Sequence, residues 1–245
     1  MTTSLCELLE WDTRFWGLPV AKVTGNTVTN DTIKLIDDWS QLHGVRCLYF
    51  LARSDEPITP MVAENNGFRF VDARVTLAWS STQVAQPARH PSITLRSFQP
   101  DDLDSLEAIA RVSHSDTRFY YDRHFPRHLC DLLYMTWIRV SCEDSSQRVL
   151  VADSRGQAVG YVTCQLDLAG SGQIGLVGIA EHARGQGIGQ ALIGNALGWF
   201  RSQGAREVIV VTQARNVAAQ RLYQQARFRT SKLELWFHKW YEPTA

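Results

Sequence analysis

Apolar residues recur along the chain with two periods, and the switching between them predicts the elements. Residues 45–51 form a nearly continuous apolar run of strand length, and 71–79 reads as a second buried strand. Over 32–43, Ile33, Leu35, Ile36, Trp39 and Leu42 fall at helical spacing, and Gly44 stands where such a helix can end. Residues 80–91 are polar, carry Pro87 and Pro91, and keep neither period, which predicts a linker. Beyond it, 93–96 predicts a short strand, and Pro100 and Asp101 open a helix through Ala110. Residues 129–140 place apolar and aromatic side chains at helical spacing. Strands over 149–152 and 159–166 flank Ser154-Arg155-Gly156-Gln157, a hairpin signal. A strand over 174–180, a helix over 188–200, a strand over 208–212, a helix over 217–225 and a strand over 233–240 complete the series. The expected class is mixed α/β, with an N-terminal α/β domain over 1–80, a linker over 81–91 and a larger domain over 92–245.

The two parts echo each other. Asn66-Gly67-Phe68-Arg69-Phe70 leads into the strand after it, and Ala226-Arg227-Phe228-Arg229 leads into the last strand. Both are expected to end in one helix-turn-strand unit. Composition removes some partners. Lys plus Arg and Asp plus Glu are 25 each, so the net charge is zero, and neither nucleic acid nor an anionic membrane is expected to bind. The five cysteines, Cys6, Cys47, Cys130, Cys142 and Cys164, are widely spaced and read as reduced thiols. The first residues lack the basic start and apolar stretch of a signal peptide, and no apolar run is long enough to span a bilayer. The cytoplasm is the expected location.

The segment most suggestive of chemistry is Arg184-Gly185-Gln186-Gly187-Ile188-Gly189, between a predicted strand and a predicted helix. Glycines let backbone approach a ligand, and amides at a helix N-terminus attract an anion such as a diphosphate. A Walker loop would need Lys then Ser or Thr after its last glycine, where Gln190 and Ala191 stand. A dinucleotide fingerprint would need its third glycine one residue later than Gly189. A glycine-rich turn without a ligand would place three unfavourable residues at a helix start for no return. Downstream, Asn216 opens the helix that carries Ala218, Ala219, Leu222 and Tyr223.

These motifs resemble those of the GNAT N-acetyltransferases. Their acetyl-CoA loop is written Gln/Arg-x-x-Gly-x-Gly/Ala, and Arg184-x-x-Gly187-x-Gly189 matches it; Asn216 and Tyr223 stand where the family has its Asn and Tyr. The resemblance implies a GNAT fold, a central mixed sheet flanked by helices. It implies that Arg184, Gly185, Gln186, Gly187, Ile188 and Gly189 hold the diphosphate of acetyl-CoA. The strand carrying Leu176, Val177, Gly178 and Ile179 would part from its neighbour to admit the pantetheine arm, Asn216 would bind that arm, and Tyr223 would sit near the thioester sulfur as general acid. Arg227 departs from the family's usual Gly-Phe; a left-handed backbone there would cost roughly a kcal/mol.

The opening Trp11-Asp12-x-x-Phe15-Trp16-Gly17 is similar to that of the dTDP-fucosamine acetyltransferase family, as is the stretch from Ser115-Asp116-Thr117-Arg118-Phe119 to Trp137-Ile138. The likeness covers most of the chain. It implies an N-terminal domain like a truncated GNAT half, and a homodimer. The implied reaction is transfer to the C4 amine of a dTDP-4-amino-4,6-dideoxy sugar destined for enterobacterial common antigen. Arg118, Tyr120, Tyr121 and Arg123 are candidate sugar-nucleotide contacts, since arginines suit a diphosphate and aromatic faces suit a base. A loop whose aromatics only cover the core would have the same composition. His124 and His128 are four apart, but Pro126 between them breaks the helix that would align them, and no metal is expected. No general base stands out; Glu181 and His182 are weak candidates, and no cysteine has the setting of a nucleophile. Two other readings share these motifs: a GNAT enzyme acting on a protein N-terminus or a small metabolite amine, and a non-catalytic acyl-CoA-binding module.

Overall fold

The computed structural model describes residues 4–82 and 90–242. In chain order the elements are β1 (Cys6–Leu8), α1 (Glu10–Trp16), β2 (Val20–Val23), α2 (Asn30–Leu42), β3 (Cys47–Arg53), α3 (Ile58–Asn65), β4 (Arg69–Ser80) and β5 (Thr94–Ser97). Then come α4 (Leu103–Ser113), α5 (Arg118–Tyr121), α6 (Arg127–Glu143), β6 (Gln147–Ser154), β7 (Gln157–Leu166) and β8 (Gly172–Ile179). The last are α7 (Ile188–Ser202), β9 (Glu207–Gln213), α8 (Val217–Gln225) and β10 (Arg229–Trp240). Every element expected from periodicity is present, within a few residues at its ends. Pattern reading passed over α3 and the short β1, α1, β2 and α5, each of which gives few turns or alternations to read. All five cysteines are free. No helix among the described residues is long and apolar enough to cross a membrane. Of the expected linker, residues 83–89 lie outside the described residues; Ser81 and Thr82 form the turn that follows β4.

Contacts divide the chain into two compact units that a linear boundary does not express. One takes the residues up to Arg74, Tyr121–Phe125 and the residues from Leu233 onwards; the other takes Val75–Tyr120 and Pro126–Lys232. The C-terminal strand thus groups with the N-terminal elements rather than with the rest of 92–245. The reason is hydrogen bonding: β10 runs antiparallel to β3 from Glu234↔Arg53 to Trp240↔Cys47. In this unit β1 pairs antiparallel with β2, and β2 parallel with β3. Ile33 and Ile36 of α2, Leu48 and Phe50 of β3, Ala63, Phe68 and Phe237 form its core. Leu35 and Leu42 follow the helical spacing of that face yet stay exposed. Thr29 and Thr32 close the N-terminus of α2 with a reciprocal capping box.

In the second unit β5, β6, β7 and β8 pair antiparallel in sequence, and β9 adds parallel to β8. Arg155 (φ 55°) and Gly156 (φ 85°) form the two-residue turn of the expected β6–β7 hairpin. Helices α4, α6 and α7 pack on this sheet.

The repeated helix-turn-strand expectation resolves into one hydrogen-bond pattern. At the end of α3, Phe68 N–H bonds Ala63 O at 3.0 Å and Gly67 N–H bonds Glu64 O at 3.2 Å. At the end of α8, Phe228 N–H bonds Tyr223 O and Arg227 N–H bonds Gln224 O, both at 2.9 Å. Each is a Schellman closure, which needs a left-handed residue at its hinge. Gly67 takes φ 81° at no cost, whereas Arg227 takes φ 68° with a side chain attached. Arg227→Gly is therefore expected to raise stability by about 1 kcal/mol, read as a melting temperature higher by about 2–4 °C. An unchanged or lower value would place the strain elsewhere.

Candidate active site

The second unit contains a cleft of about 730 Å³ whose walls gather most of the residues singled out in the sequence. It opens where two parallel strands part. Pairing of β8 with β9 runs from Gly172↔Val208 to Ile174↔Val210 and goes no further. Beyond it, Gly175, Leu176, Val177 and Ile179 line one side of the cleft, and Val211, Thr212 and Gln213 line the other. A bulge in the β7–β8 pairing lies at the same level. There Thr163 Oγ1 accepts the Leu176 N–H at 2.8 Å, and an added Cβ on Gly175 would meet that same oxygen at 2.6 Å. The Leu176 amide is thus already engaged.

The glycine loop closes one end. Gly185 (φ 74°) and Gly187 (φ 84°) are left-handed, and Gly187 is the N-cap of α7 with no side-chain cap. The first amides of this 15-residue helix are left without an internal partner where Gly187, Gly189 and Gln190 line the cleft. Amides so placed suit an anion. The Arg184 side chain is engaged by the protein itself. Its Nε–H bonds Ile179 O at 3.1 Å, and its Nη2 reaches Val112 O at 3.4 Å and Ser113 Oγ at 3.5 Å. The guanidinium ties the loop to the ends of β8 and α4, and so fixes where the amides point. Gln186 turns away, its side chain bonded to His182 O at 2.9 Å and its carbonyl to His90 Nε2 at 2.6 Å. Ile188 is buried, and Gly178 is pressed against Tyr161; neither they nor Gln186 line the cleft.

Helix α8 supplies the next wall. Asn216 caps it: Oδ1 accepts the Ala219 N–H at 3.0 Å, which leaves the Nδ2 donors for a ligand. Seven residues on, Tyr223 lines the cleft while only 4% exposed. Among the described residues no group hydrogen-bonds its hydroxyl, and burial pushes the phenol well above its ordinary pKa. It is a protonated donor facing the cleft.

The remaining wall was not foreseen. His114, at the C-terminus of α4, lines the cleft with Ser115, Asp116 and Thr117, and with Tyr134 and Trp137 of α6. Its Nε2 lies 3.1 Å from Tyr161 Oη, and its ring stacks on Tyr134 at 4.6 Å and 17°. Burial, then the charge of Arg184, push its pKa down to about 4, so the ring is neutral near pH 7. No motif marked it: the helix expected from the sequence ends at Ala110, whereas α4 runs to Ser113 and sets His114 just past its end. The weak base candidates, Glu181 and His182, do not line this cleft.

The aromatic-arginine segment is split. Arg118 stacks over Phe119 at 4.2 Å, and Tyr120 donates to Asp131 Oδ1 at 2.7 Å; neither lines the cleft. Tyr121, 54% exposed, and the exposed Arg123 belong to the first unit. Between them Asp122 is buried and accepts from His238 Nδ1 at 2.6 Å, His124 Nδ1 at 2.7 Å and Trp240 Nε1 at 2.8 Å. Burial alone would raise that carboxyl, but these bonds more than offset it and hold it well below the carboxylate range. Trp16, Tyr49, Phe125 and Trp240 pack around the same point, so the opening Trp-Asp-x-x-Phe-Trp-Gly motif ends in a structural cluster.

The parted strands β8 and β9, the unpaired amides at the start of α7 and a buried tyrosine share one cleft. Residues 106–228 match the Acetyltransferase (GNAT) family, half of the chain, and the chain belongs to that family. It is similar to the spore coat polysaccharide biosynthesis protein SpsD of Bacillus subtilis, 26% identical over 61% of this chain and 52% of that protein. It is 24% identical to a mycothiol acetyltransferase of Clavibacter sepedonicus over 77% of this chain and 61% of that one. The chain thus spans about half to three-fifths of these relatives. Over 95% of this chain and 97% of the other it is 23% identical to the dTDP-fucosamine acetyltransferase of Escherichia coli O6:H1. Among solved structures, a GCN5-related N-acetyltransferase from Sphaerobacter thermophilus superposes with a TM-score of 0.70 at 22% identity, covering 98% of this chain and 77% of that one. A functionally unknown conserved protein from Staphylococcus epidermidis gives 0.72 at 15% identity, covering 99% and 94%. These structures share the fold.

Proposed function

We propose that the chain is an acetyl-CoA-dependent N-acetyltransferase that acts as a homodimer on the C4 amine of a dTDP-4-amino-4,6-dideoxy sugar, dTDP-fucosamine or a near relative. The observation that carries the acetyl-CoA part is the parting of β8 from β9 beyond Ile174 and Val210, at the uncapped start of α7. A long flexible thioester fits the gap between the strands, with its diphosphate on the loop of Gly185, Gly187 and Gly189. The arm would lie along Val177 and Ile179 and be held by Asn216 Nδ2. A backbone amide of β8 would polarise the thioester carbonyl, and the Leu176 amide is excluded from that role by Thr163. Tyr223 would protonate the departing sulfur. The amino-sugar part is supported by near full-length similarity to the dTDP-fucosamine enzyme and by Trp137 in the cleft wall, an indole of the kind that suits a sugar ring.

A second reading, acetylation of a small metabolite amine, is favoured by the similarity to mycothiol acetyltransferases. Release of CoA from acetyl-CoA separates the two. With dTDP-4-amino-4,6-dideoxygalactose, its glucose epimer, amino-cyclitol glycosides and peptides in parallel, release is expected with the galactose sugar. Release only with a glycoside or peptide would sink the nucleotide-sugar assignment and keep the acetyl transfer.

A further inference from the structure

We propose that His114 is the base that takes the proton of the attacking amine, from the wall of the cleft that also holds Tyr223. This rests on the acetyl-transfer reading and adds the group that the glycine loop and Tyr223 do not supply. As the nitrogen forms its bond to the acetyl carbon and the C–S bond breaks, the electron pair leaves on sulfur, and the nitrogen must shed a proton. Tyr223 gives its proton to sulfur; the amine's proton needs another acceptor, and both residues then re-equilibrate with water.

Three observations point to His114. Its ring is fixed on two sides. Tyr134 stacks on it, and Tyr161, itself fully buried, bonds its Nε2. Tyr161 cannot swing away, because its ring fills the space beside Gly178, where an added Cβ would lie 2.9 Å from Oη. The ring's other nitrogen, Nδ1, makes no hydrogen bond among the described residues, although His114 lines the cleft. With Nε2–H donating to Tyr161 Oη, the Nδ1 lone pair is free, and taking a proton there leaves the Tyr161 bond unchanged.

Charge supplies the third. The groups acting on the ring are Tyr161 of β7, Tyr134 of α6 and Arg184 of the glycine loop, and Asp116 of its own segment lines the same cleft. Beside the larger effect of burial, Arg184 helps keep the imidazole neutral and able to accept. A diphosphate bound beside Arg184 counters that charge and makes the imidazole a stronger base when acetyl-CoA is in place. Asp116 shares the cleft, but it is exposed, and among the described residues no hydrogen bond orients its carboxylate.

The test is steady-state kinetics of the full chain with acetyl-CoA and the amines above. His114→Gln can keep a hydrogen bond to Tyr161, and it is expected to lose roughly 10²–10⁴-fold in kcat with the KM for acetyl-CoA unchanged. His114→Ala is expected to recover activity with added imidazole, more with more basic substituted imidazoles. An active wild type with an equally active His114→Gln, or an Ala variant indifferent to imidazole, would overturn the assignment alone. So would a kcat loss in Asp116→Asn with none in His114→Gln. A wild type that binds acetyl-CoA but releases no CoA with any amine overturns the transfer reading, and this one with it.

Discussion

Tyr223→Phe is expected to lower kcat by roughly 10²–10⁴-fold while leaving the affinity for acetyl-CoA within about twofold of wild type. The substitution removes one oxygen and keeps the ring, which packs on Phe228 at 5.8 Å and lines the cleft. On the proposed mechanism, binding along β8 and the loop would not use that oxygen, whereas protonation of the leaving sulfur would. An ordinary phenol is already a weaker acid than a thiol by about 1.5 pK units, and burial weakens it further. The proton would therefore pass only as the C–S bond breaks, and its value would lie in the transition state. The same burial gives a stability signature. With the folded pKa raised, the phenol's contribution is complete below the unfolded value of about 10 and is lost as pH rises above it. Tyr223→Phe should lessen the loss of stability above about pH 10, seen in melts as a function of pH. Near-normal kcat in this variant would remove Tyr223 from the chemistry.

Gly187→Ala is expected to weaken acetyl-CoA binding by roughly 10–100-fold, measured by calorimetry, and to cost about 1–2 kcal/mol of stability. Space is not the obstacle, since a Cβ there would approach nothing closer than His90 Cδ2 at 3.6 Å. The obstacle is handedness. Gly187 caps α7 at φ 84°, and a residue with a side chain there would pull the loop toward φ below zero. The unpaired amides of α7 would then turn from the cleft, and a diphosphate would lose the hydrogen bonds that the uncapped helix start supplies. Unchanged affinity with an unchanged melt would mean that the diphosphate is held elsewhere.

Most of the second unit was legible because its signals are local. The β6–β7 hairpin follows from Arg155-Gly156, α8 has the bounds its apolar spacing predicted, and the loop before α7 announced itself by glycines that a helix start does not otherwise tolerate. Residues whose role depends on distant partners were not legible in this way. Arg184 was read as a diphosphate ligand, but its guanidinium bonds lead to carbonyls at Val112 and Ile179, which sequence spacing does not reveal. Arg118 and Tyr120 carry the composition of a binding loop, yet the structure sets Arg118 over Phe119 and Tyr120 against Asp131, outside the cleft wall.

The sequence by itself determined the order of most of the longer strands and helices, the glycine-rich start of α7 and the placing of Asn216 and Tyr223 on one helix. Each of these is written in neighbours a few residues apart, where backbone preference and periodicity act. Only the tertiary structure decided that β8 and β9 separate after three paired residues, and that residues from Leu233 onwards group with the N-terminal elements. It alone made His114 a cleft residue held by Tyr161, 47 positions away. Those outcomes rest on strand register and side-chain packing between segments far apart in the chain, and no local pattern encodes the distance between them.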